Sequence, residues 1–288
     1  MADMRIALTG STGELGGRIA RRLHERGADQ IQLVRDPARA PVPAPTAVIA
    51  GYDDSAAMQA GMAGADTLLF IPASEDDGRV ATHQSVVDAA AAAGVGQIVY
   101  FSFVGSAPDA TFLLARDHFA TEQAIKESRI AFTFLRMNFY LDSIPQWVGE
   151  DGALRGPAGD GKLSACSRDD MADVAAVVLT DPAAHAGKTY DLTGREAFSF
   201  AEATSMMSEL SGKTITYVDE TLDEARASRA KYGAPDWEVE GWISAYTAVA
   251  AGELAEVTDV VPRLSGHEAQ TLTEYVHAHR DCLDHVLR

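Results

Sequence analysis

The chain has 288 residues, and its 24 basic and 42 acidic side chains give a formal net charge of −18. With 47% apolar residues it can bury a substantial core, which excludes a disordered chain. The acidic balance argues against nucleic acid and against an anionic membrane surface as partners, because both require clustered lysine and arginine. The simplest interpretation of the charge is solubility.

The cysteines and the N-terminal segment point to a reduced compartment. Cys166 and Cys282 lie far apart in the sequence, which indicates neither a disulfide framework nor a cysteine metal site. The first residues lack the long apolar region of a signal peptide, and no apolar run is long enough to cross a membrane. We therefore expect a cytoplasmic protein with no membrane partner.

The first part of the chain alternates short apolar runs with helical segments. Strands are predicted at 5–9, 31–34, 47–50, 67–71, 97–101 and 132–135. Helices are predicted between them, among them 79–93 and 115–128. This alternation predicts right-handed crossovers and a parallel sheet. The expected fold class is α/β, with a doubly wound Rossmann domain over residues 1–150.

The alternation becomes less regular after Arg136. Five glycines and a proline between Gly149 and Gly161 predict a loop rather than core. Helices are predicted over 169–179 and 199–210, and strands over 188–192 and 214–218. Ser199, with Glu202 three residues later, is typical of a capped helix start. We expect residues 151–288 to form a smaller, mostly helical substrate lobe, with some segments returning to the Rossmann sheet.

Three glycines follow the first predicted strand in a G-x-x-G-x-x-G frame. Gly10 permits a tight turn, Gly13 allows backbone to approach a pyrophosphate, and Gly16 allows close contact between helix and sheet. The start of the next helix adds free N–H groups and a positive dipole. The motif predicts a dinucleotide site; the alternative is a glycine-rich turn without a ligand.

The residues that end the second strand indicate which dinucleotide is preferred. An NAD site usually has Asp or Glu there to accept a hydrogen bond from the ribose 2′-hydroxyl. Here the strand ends Val34-Arg35-Asp36, and a guanidinium can pair with a 2′-phosphate and stack on adenine. NADP, with NADPH as the hydride donor, is the expected cofactor. The alternative is that Arg35 merely pairs with Asp36 on the surface.

Together with the glycine motif, further segments resemble the NmrA-like atypical short-chain dehydrogenases, in particular NADPH-dependent quinone reductases and triphenylmethane dye reductases. The segments are 9–16, 34–36, 51–53, 65–70, 92–95, 118–122, 134–138 and 159–162. The resemblance extends over nearly the whole chain. The glycine motif belongs to the wider superfamily, whereas its combination with Leu-Arg-x-Asn and the later glycine loop is more specific.

The resemblance also implies site residues. Phosphate contacts are expected from Gly10, Ser11, Thr12, Gly13, Glu14 and Leu15. Arg35 is expected at the 2′-phosphate and Asp53 on the adenine side. The nicotinamide side is expected to be lined by Ile71, Ser74, Phe101 and Ser102, with Asn138 and Tyr140 near the nicotinamide and substrate.

One departure from ordinary short-chain dehydrogenases affects the mechanism. Their Tyr-x-x-x-Lys pair, in which the phenol donates a proton to a nascent alkoxide, corresponds here to the frame His118–Glu122. A general ketone reductase would therefore lack its usual acid. A quinone gives a stabilised phenolate that can be protonated by water, and a cationic dye needs no proton. The departure predicts an electron-poor aromatic acceptor.

His118 and Tyr140 are the candidate catalytic residues. His118 has a suitable intrinsic pKa for proton transfer, and the alternative is a structural hydrogen bond. Tyr140 could position an aromatic acceptor or could simply form a wall.

In the C-terminal lobe, Trp237, Trp242 and Tyr246 predict core packing, with substrate contact as the alternative. Three late histidines predict a solvated helix rather than a metal site: His277, His279 and His285.

The leading hypothesis is an NADPH-dependent oxidoreductase that transfers hydride to quinones or related acceptors, as a monomer or homodimer. The alternative is a regulator that senses NADP and acts through a protein partner without turnover. A third hypothesis is reduction of an isoprenoid or phenylpropanoid natural product. The negative field of the chain is expected to favour neutral or cationic acceptors over anionic ones.

Overall fold

The computed structural model describes residues 4–287. The strands are β1 Arg5–Leu8, β2 Asp29–Val34, β3 Thr46–Val48, β4 Thr67–Phe70, β5 Gln97–Phe103, β6 Ala131–Met137, β7 Ala153–Gly156, β8 Lys162–Leu163, β9 Lys188–Leu192, β10 Phe198–Ser199 and β11 Thr216–Asp219. The helices are α1 Glu14–Glu25, α2 Ser55–Met62, α3 Arg79–Ala93, α4 Leu113–Glu127, α5 Arg168–Thr180, α6 Pro182–His185, α7 Phe200–Ser211, α8 Leu222–Arg229, α9 Asp236–Ala250, α10 Val260–Ser265 and α11 Leu272–Ala278. Short 3₁₀ helices cover Pro37–Arg39, Leu141–Trp147 and Ala230–Tyr232.

The chain divides into two compact units, and each is made of separate segments. The first unit runs to Phe103 and also includes Asp117–Arg136 and Arg168–Asp191. The second comprises Val104–Arg116, Met137–Ser167 and the chain from Leu192 onward. The sequence predicts a first domain over residues 1–150 and a smaller lobe over residues 151–288, with some segments of that lobe returning to the Rossmann sheet. The segment that returns to the first unit carries α5, which packs against α1 and is tied to it by Arg22, whose Nε lies 2.7 Å from Asp173 Oδ1.

A seven-stranded sheet organises the first unit, in the order β3-β2-β1-β4-β5-β6-β9. The pairs β2–β3, β1–β2, β1–β4 and β4–β5 are parallel. The strand order reverses at β1, which lies between β2 and β4, and open α/β sheets bind ligands outside the carboxyl ends of strands at such a point. The predicted doubly wound α/β fold is confirmed.

The central strands β4 and β5 are buried along their whole length, as expected for a parallel sheet covered on both faces. On one face the core includes Phe70, Tyr100 and Phe134, whose rings pack against α2, α3 and α4 residues such as Met62 and Val86. The Phe70 and Tyr100 ring centroids are 5.0 Å apart. This packing fixes the ends of β4 and β5, where site residues were predicted.

The prediction of a loop between Gly149 and Gly161 was wrong in part. Strand β7 lies within it and pairs in parallel with β11, and its Leu154 is fully buried. A Cβ atom on Gly156 would lie 2.2 Å from the Tyr246 ring. This glycine therefore makes room for an aromatic ring inside the second unit, and its role is close packing rather than flexibility.

Helix α7 begins as the sequence predicted. The Ser199 hydroxyl accepts a hydrogen bond from Glu202 N at 3.1 Å, and the Glu202 carboxylate accepts one from Ser199 N at 2.7 Å. This reciprocal pair is a capping box, which satisfies two N–H groups at the helix start. Within residues 4–287, none of the helices is both long and apolar enough to traverse a bilayer.

Candidate functional site

The turn between β1 and α1 requires glycine at two positions for different reasons. Gly10 has φ +64°, a conformation that side chains disfavour. Its carbonyl oxygen accepts a hydrogen bond from Gly13 N at 3.0 Å, which closes the turn. A Cβ atom on Gly16 would lie 2.2 Å from that same oxygen and 2.9 Å from Ile71 Cδ1. The turn, α1 and Ile71 can therefore pack this closely only because Gly10 and Gly16 have no side chains.

The start of α1 fits an anionic group. Its N-cap residue, Gly13, has no side chain to accept a hydrogen bond, so the N–H groups of the first turn are available to a ligand. The Ser11 hydroxyl is buried and has no hydrogen-bond partner among the described residues. The one acidic group of this turn, Glu14, pairs with Arg168 at 3.4 Å. The residues present thus fit the pyrophosphate of a dinucleotide.

Ile71, directly after β4, is held beside this turn by two side chains. The Thr9 hydroxyl accepts a hydrogen bond from Ile71 N at 2.9 Å, and the Tyr52 hydroxyl donates one to Ile71 O at 3.0 Å. Burial raises the pKa of Tyr52 to about 12, so the phenol keeps its proton and remains a donor. Segment 51–53 contributes to the family resemblance, but the sequence assigns no role to Tyr52, because its hydrogen-bond partner Ile71 follows a different strand.

Arg35 is exposed immediately after β2 and has no ion-pair partner within residues 4–287. Asp36 instead accepts a hydrogen bond from Ala38 N at 3.0 Å, as the N-cap of a short 3₁₀ helix. The positive charge of Arg35 acts on Tyr52, where it opposes the rise in pKa caused by burial. Arg35 is therefore an unpaired cation near the glycine turn. Asp53 is exposed beside Gly51.

At the end of β5, Phe101 and Ser102 are both fully buried. The Ser102 hydroxyl donates to Glu122 Oε1 at 2.6 Å. The Glu122 carboxylate is also bound at both oxygens by Arg136, each at 2.8 Å. These contacts raise the pKa of Arg136, mainly through the hydrogen bonds to Glu122. The Ser102 hydroxyl thus donates its proton to a carboxylate, so toward any other group its oxygen can only accept a hydrogen bond.

His118 is buried in the first unit. Its Nδ1 lies 2.9 Å from the Tyr100 hydroxyl and its Nε2 lies 3.5 Å from Arg79 Nη2. Burial and the positive charge of Arg79 hold the pKa of His118 well below its usual range, so the ring is neutral at neutral pH. These contacts favour the structural alternative. A proton-transfer role stays a prediction.

Asn138 and Tyr140 belong to the second unit. The Asn138 amide nitrogen donates to Ser164 Oγ and to Leu254 O, both at 3.0 Å, and its oxygen accepts from Phe139 N at 2.8 Å. All its strong hydrogen-bonding groups therefore serve the second unit itself. Tyr140 is half-buried and forms an isolated parallel bridge with Cys166.

The aromatic residues of α9 differ in their environment. Tyr246 packs on Phe200 with ring centroids 5.3 Å apart, and the Arg229 guanidinium lies 5.2 Å from the Tyr246 ring centre. Trp242 contacts Tyr232 edge-on at 5.9 Å, whereas Trp237 is 39% exposed. Tyr246 thus agrees with the core-packing interpretation and Trp237 does not.

The late histidines have ordinary contacts. His279 stacks on Tyr275, and His285 Nε2 lies 2.9 Å from Val148 O. In the part of the chain that the structure describes, no group of His, Cys, Asp and Glu is arranged to hold a metal ion.

Comparison of the sequence with known proteins shows the family to which the chain belongs. The sequence profile of the NAD(P)H-binding family matches residues 10–182. The chain is 33% identical over 280 residues to quinone oxidoreductase 2 of Escherichia coli, covering 94% of this chain and 97% of that protein.

Solved structures give the same result. The NADPH complex of an Escherichia coli NADPH-dependent quinone oxidoreductase is similar with a TM-score of 0.87 at 31% identity, covering 95% of this chain and 99% of that one. The NADP(H) complex of a Citrobacter triphenylmethane reductase is similar with a TM-score of 0.84 at 30% identity, covering 95% and 99%. These similarities confirm the family resemblance drawn from the sequence.

Proposed function

The chain belongs to the NAD(P)H-binding family of NmrA-like atypical short-chain dehydrogenases and is an NAD(P)H-dependent oxidoreductase, and from this premise we propose that it reduces quinones or similar electron-poor aromatic acceptors with NADPH. The observation that carries the proposal is that both ends of the His118–Glu122 frame are engaged in internal hydrogen bonds. An acceptor served by this site is one that needs no proton from the enzyme.

The preference for NADPH rests on Arg35. A guanidinium without an ion-pair partner, exposed directly after β2, can bind a 2′-phosphate through two parallel hydrogen bonds. The alternative pairing with Asp36 is disfavoured, because the Asp36 carboxylate is turned toward Ala38 N. The strand end carries no other acidic residue to accept from a free 2′-hydroxyl.

The residues toward the cofactor follow from the glycine turn. The phosphates would be held by Gly10, Ser11, Thr12, Gly13, Glu14 and Leu15. Asp53 lies on the adenine side in this proposal. The nicotinamide would be lined by Ile71, Ser74, Phe101 and Ser102, with Asn138 and Tyr140 toward the substrate. Bound NADPH supplies the hydride, and the chain orients the reactants and excludes water.

The acceptor class follows from the chemistry that the frame lacks. A neutral His118 with a lowered pKa is a poor general acid, and Glu122 is bound by Arg136 at both oxygens. Neither group favours prompt protonation of an alkoxide. A quinone becomes a stabilised phenolate on hydride transfer, and a cationic dye becomes neutral, so both are suited to this site.

The test follows NADPH oxidation by absorbance with benzoquinones, naphthoquinones, cationic triarylmethane dyes and simple ketones. Turnover of quinones or dyes, but not of ketones, is expected. Sulfonated quinones are the charge control: a net charge of −18 is expected to slow them at low salt relative to neutral quinones of similar reactivity. If NADPH binds and nothing is turned over, the regulator that senses NADP through a protein partner replaces this proposal.

A further inference from the structure

The segment that leaves β4 is held by side chains instead of by a neighbouring strand. Beyond Phe70, the Ile71 backbone is bonded by Thr9 and Tyr52, as described above. Two residues later, Ala73 is held at both polar atoms: its N–H donates to His83 Nε2 at 3.0 Å, and its carbonyl oxygen accepts from Arg79 Nε at 3.2 Å. Four side chains therefore fix the path of the chain from Ile71 to Ala73.

Arg79 and His83 act from one face of α3, since they are four residues apart. Both are buried, and Arg79 is only 4% exposed. The Ala73 N–H can only donate, so His83 Nε2 is the unprotonated nitrogen and Nδ1 carries the hydrogen. Nδ1 then donates to the Thr121 hydroxyl at 2.7 Å, which donates to Asp117 O at 2.8 Å. These hydrogen bonds favour the His83 tautomer that can accept a hydrogen bond from Ala73 N.

The charges around His83 keep it an acceptor. Burial, and next the positive charge of Arg79, lower the pKa of His83 to about 3, so its Nε2 lone pair is free to accept at neutral pH. Arg79 itself faces Asp117 at 3.7 Å and the neutral His118, and its Nη1 has no hydrogen-bond partner among the described residues.

A buried arginine with incomplete hydrogen bonding is expensive, and well-packed apolar residues often give equal or greater stability at such positions. Stability is therefore a weak explanation for this pair. The two side chains instead form hydrogen bonds with both polar backbone groups of one residue, the N–H and the carbonyl oxygen of Ala73. That residue lies two positions from Ile71, whose side chain packs on the glycine turn, and directly before Ser74.

We propose that Arg79 and His83 are positioning residues, which fix residues 71–74 relative to the glycine turn and thereby set the orientation of the nicotinamide. The proposal rests on the proposed function, because that function puts Ile71 and Ser74 on the nicotinamide side. The phosphate contacts lie elsewhere, at the start of α1. Loss of the pair should therefore disturb hydride transfer more than cofactor affinity.

The first test is amide hydrogen exchange at Ala73, which needs no turnover. His83→Leu removes the acceptor, and exchange at Ala73 is expected to become at least about tenfold faster. His83→Gln supplies an amide oxygen that can accept, and should restore protection in part. His185→Leu is the matched control, because His185 is also a buried histidine of the first unit and bonds Tyr190 instead. Unchanged exchange at Ala73 in His83→Leu would overturn the proposal.

The second test separates kcat from KM. In His83→Leu, kcat for quinone reduction should fall about 10- to 100-fold while KM for NADPH changes less than about threefold, because small misplacements of reacting atoms slow transfer strongly. His83→Gln should recover much of the rate. A fall in kcat that only matches a loss of folded protein by circular dichroism would mark the histidine as structural and refute the proposal. Arg79→Lys repeats the test if His83→Leu does not fold.

A further measurement distinguishes failure of the proposed function from failure of the positioning role of Arg79 and His83. If the unmodified protein binds NADPH but reduces no acceptor, the proposed function is wrong, and the fluorescence anisotropy of bound NADPH then decides the positioning role. Anisotropy is expected to drop in His83→Leu and to stay unchanged in His185→Leu, because only the first variant frees the segment that would orient the nicotinamide. Equal anisotropy in both variants would refute the positioning role.

Discussion

The packing at Gly16 makes a sharp prediction for Gly16→Ala. The added Cβ would lie 2.2 Å from Gly10 O and 2.7 Å from Gly10 C, and real Cβ atoms essentially never come within 3.0 Å of a neighbour. The glycine turn must therefore retreat by about 0.8 Å. Because the obstacle is backbone, no side-chain rotation can relieve the contact.

The expected loss follows from that displacement. Overpacking of a tight site costs about 1–3 kcal/mol. Displacing one charge-assisted phosphate hydrogen bond has a similar effect, and about 2 kcal/mol in binding corresponds to roughly a 30-fold weaker Kd for NADPH. The helix propensity of alanine works in the opposite direction by less than about 1 kcal/mol, so the fold should persist.

Fluorescence titration with NADPH, together with thermal unfolding, measures both quantities. The matched control is Gly17→Ala, one residue further along α1, where the nearest atom to the added Cβ is Ser11 O at 3.3 Å. This control should bind NADPH within about threefold of the unmodified protein. If Gly16→Ala binds NADPH equally well, the turn is not the phosphate site and the reasoning is refuted.

Further predictions concern charges. Arg35→Gln should weaken NADPH about 10- to 100-fold and leave NADH unchanged, measured by titration of both; equal losses would contradict a 2′-phosphate contact. His118→Asn should leave the shape of the kcat/KM profile unchanged from about pH 6 to about pH 9, because the lowered pKa of His118 keeps the ring neutral there; loss of a titration in that range would establish proton transfer. Arg136→Met should lower the free energy of unfolding in urea by about 3 kcal/mol, because it strands the fully buried Glu122 carboxylate; a change below about 1 kcal/mol would contradict this. The lowered pKa of His83 means that the unfolded chain binds the extra proton, so stability should be constant above about pH 6.5 and fall by up to about 1.4 kcal/mol per unit toward pH 3; an equal slope in His83→Leu would refute that origin.

Local signals explain how much of the fold could be predicted from the sequence. Helix α3 begins and ends at the predicted residues 79 and 93, and the capping box of α7 was visible as Ser199 and Glu202. The glycine frame likewise identified the turn after β1. In each case the residues that determine the structure lie within one or two turns of one another.

The remaining features depend on partners far apart in the chain. The sequence predicts a loop at Gly156, because the Tyr246 ring that requires a glycine there lies 90 positions later in the chain. The bond from Tyr52 to Ile71 and the hold of His83 on Ala73 likewise join separate elements. Hydrophobic periodicity carries no information on such contacts, so the side chains that hold Ile71 and Ala73 can be identified only in the folded chain.

The division into interleaved units has a consequence for synthesis of the chain. Helix α5, whose aspartates pair with Arg22 of α1, emerges from the ribosome only after Met137–Ser167 of the second unit. A nascent chain that ends near residue 150 therefore contains the whole glycine turn. It still lacks α5, which packs against α1, and it lacks β9, the last strand of the sheet. The first unit can therefore be completed only after part of the second unit has been synthesised, so its folding cannot finish in strict N- to C-terminal order.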